Sequence, residues 1–233
     1  MKKNTILPMN VNPGFLPMEF VQCLAETYRS MSTLLPIQME TSAIPNRART
    51  KNGLAFLASE AEWALLLDSD MVWEPHAVHR LYKTAKETGA KVVSGFTFME
   101  QANRIIPHAY DWVPHKDGKI LAPYALIPSL IQPFKVTAVG GACLLVHREV
   151  YLQVKQDTQD KTGFYWQEDE YIKGQGMQGE DITFSKRVGD SGFDIIYEPR
   201  AFFGHKKKSE IMTTQDYAAF LDSQGISHPF KGL

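Results

Sequence analysis

The chain is 233 residues long, 44% hydrophobic and 11% aromatic, enough apolar material to close one substantial core. With 22% charged residues and a formal net charge of -1, it carries no global field toward nucleic acid or an acidic membrane, so any anion site must be local. The two cysteines, Cys23 and Cys143, stand far apart in segments that read as helix and strand, which fits buried thiols in a cytoplasmic protein rather than a disulfide framework.

Thr5 to Pro8 reads as a first strand ending in a loop rich in Pro, Asn and Gly, and Pro8, Asn10, Asn12 and Pro13 interrupt the apolar run that a secretion signal would need. A helix follows with Phe20, Leu24, Thr27, Tyr28 and Met31 on one face. Leu34 to Met39 is a second strand, and Leu54, Leu57, Ala58 and Ala61 line a second helix that begins near Arg47 and Arg49. Trp63 to Leu67 is continuously apolar, the pattern of a strand buried on both faces of a parallel sheet, and it ends in Asp68-Ser69-Asp70. Glu74-Pro75 opens a helix whose buried stripe is Val78, Leu81, Tyr82 and Ala85 and which Gly89 closes; Lys91 to Ser94 is the fourth strand.

Strands alternating with helices imply a doubly wound α/β sheet, with ligands beyond the carboxyl ends of the strands, where Asp68 and Asp70 stand. Residues 96–133, rich in prolines and aromatics, are expected to form a small irregular or antiparallel insert. Val136 to Val146 resumes the core as one strand, too short to span a bilayer, and Gly140-Gly141 within it marks a close approach to the backbone. Gln156 to Gly179, polar and punctuated by glycine, reads as a mobile loop that orders over a ligand. Asp181 to Val188 is a short helix, Asp194 to Tyr197 a strand, and the tail from Ser209 one more helix.

Three clusters can carry chemistry. Asp68 and Asp70 are at i and i+2, so on an extended backbone both carboxylates point to one side and can hold a hard divalent cation; the same triplet is also ordinary turn and cap chemistry. In Gly179-Glu180-Asp181, Asp181 either caps the following helix, worth about 1 kcal/mol, or accepts a proton from an acceptor hydroxyl. His205, followed by Lys206-Lys207-Lys208, is either a solvated basic turn or part of a site that holds a metal and a diphosphate.

Taken in order, Arg47-Ala48-Arg49, Leu65-Leu66-Leu67-Asp68-Ser69-Asp70, Gly140-Gly141-Ala142-Cys143-Leu144-Leu145, Gly179-Glu180-Asp181 and Gly204-His205 resemble the GT-A glycosyltransferases related to family 2, in particular the compact soluble members of bacteria and their phages. The resemblance implies a mostly parallel, Rossmann-like twisted sheet flanked by helices, as one domain over 1–233. Its nucleotide-binding half would be 1–95, its acceptor and metal half 96–208, and its tail 209–233. It implies that Asp70 and His205 are metal ligands, with Asp68 near the metal or the donor ribose. Pro8, Met9 and Asn10 would line the base and ribose pocket, and Ser69, Gly141 and Lys206 would lie against the donor. Arg49 stands where many relatives have arginine followed by asparagine, but here Thr50 follows. Asp181, or alternatively Glu180, matches the motif that supplies the base in inverting members or an acceptor contact in others.

The expected reaction is transfer of a sugar from a UDP- or GDP-type donor to a hydroxyl of a glycan, a protein or a modified nucleobase. Breaking the anomeric bond leaves a charged diphosphate, which a divalent cation stabilises; carboxylate and phosphate oxygens suit Mg²⁺ or Mn²⁺, and a histidine tilts the choice to Mn²⁺. The rivals are a sugar-nucleotide nucleotidyltransferase and a non-catalytic nucleotide- or carbohydrate-binding module. The first loop, Asn10-Val11-Asn12-Pro13-Gly14, has one glycine and no cation, unlike a phosphate loop, and Asp70, Asp181 and His205 occurring together argue for catalysis.

Overall fold

The computed structural model describes residues 2–12, 14–42, 44–101, 104–116, 118–158, 169–172, 176–207, 210–228 and 230. An alternating part comes first: β1 (Lys2–Asn12), α1 (Met18–Ser30), β2 (Gln38–Thr41), α2 (Pro45–Ala58), β3 (Ala61–Asp68), β4 (Met71–Trp73), α3 (Ala77–Thr88) and β5 (Val92–Phe96). Hairpins follow, with β6 (Phe98–Gln101) on β7 (Arg104–Pro107) and β8 (Ala109–His115) on β9 (Gly118–Pro123). Then come β10 (Phe134–Val136), β11 (Ala138–Val139), β12 (Cys143–His147), α4 (Arg148–Asp157), β13 (Asp169–Ile172), β14 (Gly176–Gln178), α5 (Glu180–Asp190), β15 (Ile195–Lys207), β16 (Glu210–Met212) and α6 (Thr214–Ser223).

The main sheet has the order β10-β15-β5-β12-β3-β1-β2, and β4 and β16 pair with the far end of β15. β1 is parallel to β2 and β3, and β15 is parallel to β5. β12 runs antiparallel between β3 and β5, so the carboxyl ends of β1, β3 and β5 share an edge with the turn that precedes β12. This is the mostly parallel α/β sheet expected from the sequence. Side chains of β3 alternate between two cores. Trp63, Leu65 and Leu67 pack with Phe20 of α1 and Leu81 of α3. Ala64 and Leu66 pack with Phe56 of α2, Tyr151 of α4 and Phe184 of α5. Each such large side chain contributes about 1.5–3 kcal/mol on burial, which explains why this strand reads as uninterrupted apolar sequence.

Several elements differ from expectation. The second strand is displaced to Gln38–Thr41, leaving Leu34 only an isolated bridge to Ile6. The second helix buries Arg49, Asn52, Gly53 and Phe56, while Leu54 is exposed and Ala61 already belongs to β3. Arg49 and Asn52 take the inner face because each finds a partner there, as described below. The insert, by contrast, takes the antiparallel one of its two expected forms, with β11 completing a three-stranded sheet on β8 and β9. Val136 to Val146 is broken into three strands by turns rather than forming one. The tail opens with β16 before α6, whose Thr213 and Asp216 form a capping box. Of the segment expected to be mobile, Gln156 lies in α4, β13 and β14 form a hairpin, and 159–168 and 173–175 lie outside the described residues. The helix that begins at Ala77 ends at Gly89 with φ 73, a left-handed conformation that suits glycine, as the sequence suggests.

One side chain fixes the placement of α2. Arg148 donates to the carbonyls of Phe56, Leu57, Ser59 and Ala61 at 2.7–2.9 Å. It thereby satisfies acceptors at the carboxyl end of α2 and locks that helix, and Arg49 with it, against β3. Among the described residues no helix is long and apolar enough to cross a membrane, and both cysteines are buried thiols.

Candidate active site

Past Asp68 the chain turns at Ser69-Asp70 into β4, which pairs with β15 so that His205 stands opposite Met71, next to Asp70. His205 Nε2 lies 2.8 Å from Asp70 Oδ2, and its Nδ1 lies 2.9 Å from the Phe98 carbonyl oxygen. A carbonyl only accepts, so Nδ1 carries a proton and Nε2 is the nitrogen presented to Asp70. A hydrogen bond that fixes the outer nitrogen in this way is what orients a histidine as a metal ligand. The pair fits a cation with affinity for both oxygen and imidazole nitrogen. Among the described residues no three His, Cys, Asp or Glu side chains converge as a metal site.

Asp68 is engaged elsewhere. The turn ends the extended backbone on which both carboxylates would share a side, and Arg49 Nη2 contacts Asp68 Oδ1 at 3.0 Å and Oδ2 at 3.2 Å. Arg49 is buried, and its Nε reaches Glu180 Oε1 at 3.5 Å. Burial lowers the pKa of this guanidinium, but Asp68, Glu180 and Asp181 more than offset it and leave the value raised. Burial conversely raises Glu180, with Arg49 opposing. Gly141 makes room for this group: a Cβ there would lie 1.4 Å from Arg49 Nη1.

Asp181 is not the helix cap. Gly179 holds that position, and Asp181 lies inside the first turn of α5, where its Oδ1 accepts the Ile182 N–H at 2.8 Å. Its Oδ2 lies 3.6 Å from Nε2 of His108, a residue that the sequence did not single out. His108 joins β7 to β8, bonded through its backbone to Thr97 and Gly140, and its ring lies on Gly140, where a Cβ would come within 2.0 Å. Burial lowers the His108 pKa against the pull of Asp181 and Asp68, while His205 and Arg49 add to the lowering. His108 thus lies in the fields of Asp68 and Arg49 on one side and of Asp181 and His205 on the other. Tyr110, beside it, is raised by burial and then by Asp181. The only sign of His108 in the sequence was Gly140-Gly141, which announces a close approach without saying by what.

The remaining predicted residues lie further from this centre. Pro8 and Met9 are buried within β1, paired with Leu65 and Leu66, and the strand continues to Asn12 rather than ending at Pro8 to Asn10. Asn10 is fully buried, donating from Nδ2 to the Leu67 carbonyl at 2.8 Å and accepting from Asn52 on its own carbonyl at 3.0 Å. These three residues join strands and helix at the sheet edge. Ser69 is half-buried in the turn. Lys206 pairs with Glu19 of α1 at 2.6 Å, and strand alternation turns it away from the face that carries His205. Lys208 lies outside the described residues.

A family model described as Glycosyltransferase like family 2 matches residues 20–224. No curated protein sequence matches the chain. Among solved structures, the crystal structure of A197 from STIV shares the fold with a TM-score of 0.59 and 13% identity, covering 91% of each chain. The crystal structure of GalNAc-T7 with UDP, GalNAc and Mn²⁺ matches with a TM-score of 0.53 and 13% identity, over 94% of this chain and 47% of that one. The chain therefore spans about half the length of GalNAc-T7. At these identities the likeness is one of fold, and the fold is the GT-A type.

Proposed function

The chain belongs to the glycosyltransferase-like family 2 and is a glycosyltransferase, and from that premise we propose that it moves a sugar from a nucleoside diphosphate to an acceptor hydroxyl, with a divalent cation held by Asp70 and His205. The observation that carries this reading is the Asp70–His205 contact, with the outer nitrogen of the histidine tied to Phe98. When bound, the cation supplies Lewis-acid stabilisation of the diphosphate leaving group. The carboxylate accommodates Mg²⁺ or Mn²⁺, and the imidazole favours Mn²⁺. GalNAc-T7, which shares the fold, was crystallised with UDP and Mn²⁺, which supports a UDP-type donor here by analogy.

Asp68, oriented by both contacts from Arg49, is the donor contact on the ribose side. Glu180 contacts the Arg49 guanidinium directly, whereas Asp181 contacts the weakly basic His108 and meets Arg49 only through its field, so Asp181 takes the proton from the acceptor hydroxyl. His108 acts through Asp181 as a positioning residue, confined by Gly140.

A donor-hydrolysis screen over UDP-, GDP- and CMP-linked sugars, with and without Mn²⁺, tests this directly. Slow hydrolysis of one donor in the presence of metal is expected. Hydrolysis that proceeds equally in EDTA contradicts the cation assignment, and a purified protein that hydrolyses none of these donors contradicts the donor class.

A further inference from the structure

Two cavities, of about 250 and 430 Å³, share Thr137 and Gly189; the smaller runs along α5 and the larger continues past its carboxyl end. One wall of the smaller is Trp112 and Leu121, cross-strand partners on β8 and β9; the other is the helix face carrying Ile182, Ser185 and Gly189. The lining residues of α5 run from Ile182 to Asp190, about 12 Å of helix, and the larger cavity continues past its end along Gly192 to Ile195, so the groove has the length of a short chain of sugar rings rather than of one small molecule. It starts beside the reacting centre. Ile182 lines it and donates its amide to Asp181, and Tyr110, on the same face of β8 as Trp112, lies in the field of Asp181.

The lining has two properties that select a ligand. Trp112 is 41% exposed, an unusual position for an indole, and offers a flat apolar face. Of the charged groups that line the two cavities, Lys186 pairs with Asp190 at 2.5 Å and Lys135 with Asp194 at 2.5 Å, while the Asp111 carboxylate accepts from the hydroxyls of Thr137 and Tyr124 and keeps its charge. An anionic polymer needs cations that are not already compensated, and a charged peptide needs a complementary sign. Both cations are compensated, which disfavours an anionic polymer, and the one remaining charge is a single carboxylate held by two hydroxyls, a group that also accepts hydrogen bonds from sugar hydroxyls. A neutral ligand with an apolar face and a hydroxyl rim suits both properties.

We infer that the groove along α5 is the acceptor site and that it binds a neutral oligosaccharide with Trp112 as the stacking platform, an assignment that rests on the transferase reading above.

The test is ligand-observed NMR on the full chain with cellotetraose and chitotetraose as probes, and with a neutral serine-containing peptide and a single-stranded oligonucleotide alongside. Two variants address the groove. Trp112→Ala removes the platform. Gly189→Leu fills the junction of the two cavities, at a helical position where a Cβ meets nothing within 4 Å, so the fold is retained. At least one saccharide should bind the wild type, and each variant should weaken it by roughly tenfold while metal-dependent donor hydrolysis is unchanged. Saccharide binding that survives both variants, the absence of saccharide binding, or binding of the peptide or oligonucleotide alone overturns the inference. Wild-type saccharide binding without any donor hydrolysis would leave the groove standing and remove the transferase mechanism instead.

Discussion

Asp68 and Asp70 are separated by one serine, yet they belong to two differently built regions. Asp68 closes a buried strand and is gripped at 3.0 and 3.2 Å by a guanidinium that has almost no contact with water. Asp70 stands past the turn with 37% of its side chain exposed and shares a 2.8 Å contact with a histidine delivered by β15. A carboxylate whose charge is already met by a buried arginine can orient a ligand but has little attraction left for a cation. On the reading proposed above, Asp70, in contact with an imidazole, is the one that holds the cation. Identical residue types in one short motif therefore receive different work from the elements that meet them, α2 in one case and β15 in the other.

The same division separates the neighbours Glu180 and Asp181, and there it should have its largest effect. Asp181→Asn removes the proton acceptor and keeps the shape, so transfer to the acceptor should fall by about 10²- to 10⁴-fold with donor affinity nearly unchanged. Glu180→Gln removes a charge partner of Arg49, and its loss should show in unfolding rather than in the chemical step. A near-normal transfer rate for Asp181→Asn, together with a collapsed rate for a stably folded Glu180→Gln, would exchange the two roles.

Stability should draw the line between the regions next. Arg49→Met leaves Asp68 and Glu180 without their buried partner and should cost about 3–5 kcal/mol in urea unfolding. Gly141→Ala should reproduce part of that loss by displacing the guanidinium. Asp70→Asn, in the half-exposed region, should change stability by less than about 1 kcal/mol. Equal losses for Arg49→Met and Asp70→Asn would erase the distinction.

The smallest effect is expected where the regions meet. Burial holds the His108 pKa below its ordinary value of 6.5, so below that pH the unfolded chain takes up a proton that the folded one refuses. Stability from this group is therefore complete above the ordinary value and is lost as pH falls below it. Thermal unfolding followed between about pH 7.5 and 5.5 should show a shallower decline for His108→Gln than for the wild type. Parallel curves would mean that His108 is charged in the fold.

How far these regions could be read in the sequence follows from how local their signals are. β3 and the end of α3 were legible because an apolar run and Gly89 act within or next to their own elements, whereas Glu74-Pro75 forms a turn ahead of the helix, which begins at Ala77. α2 was assigned the wrong inner face because Arg49 and Asn52 are buried by distant partners, Asp68 and the backbone of Asn10, while Leu54 faces solvent. The direction of β12 was hidden, since an apolar strand reads alike either way. Asp70 and His205 were paired through the order of motifs alone; the Phe98 carbonyl that orients the ring has no side-chain signature. His108 stayed invisible for the same reason, because only the tertiary fold carries it to Asp181.

Calorimetry of UDP and GDP binding in Mn²⁺ and in excess EDTA, on the wild type and on Asp70→Asn, tests most directly whether Asp70 and His205 hold the cation that holds the donor. Tight binding of one nucleotide should appear in the wild type with metal and be lost both on chelation and in Asp70→Asn. An affinity that is the same in EDTA, or the same in the Asp70→Asn protein, would contradict it.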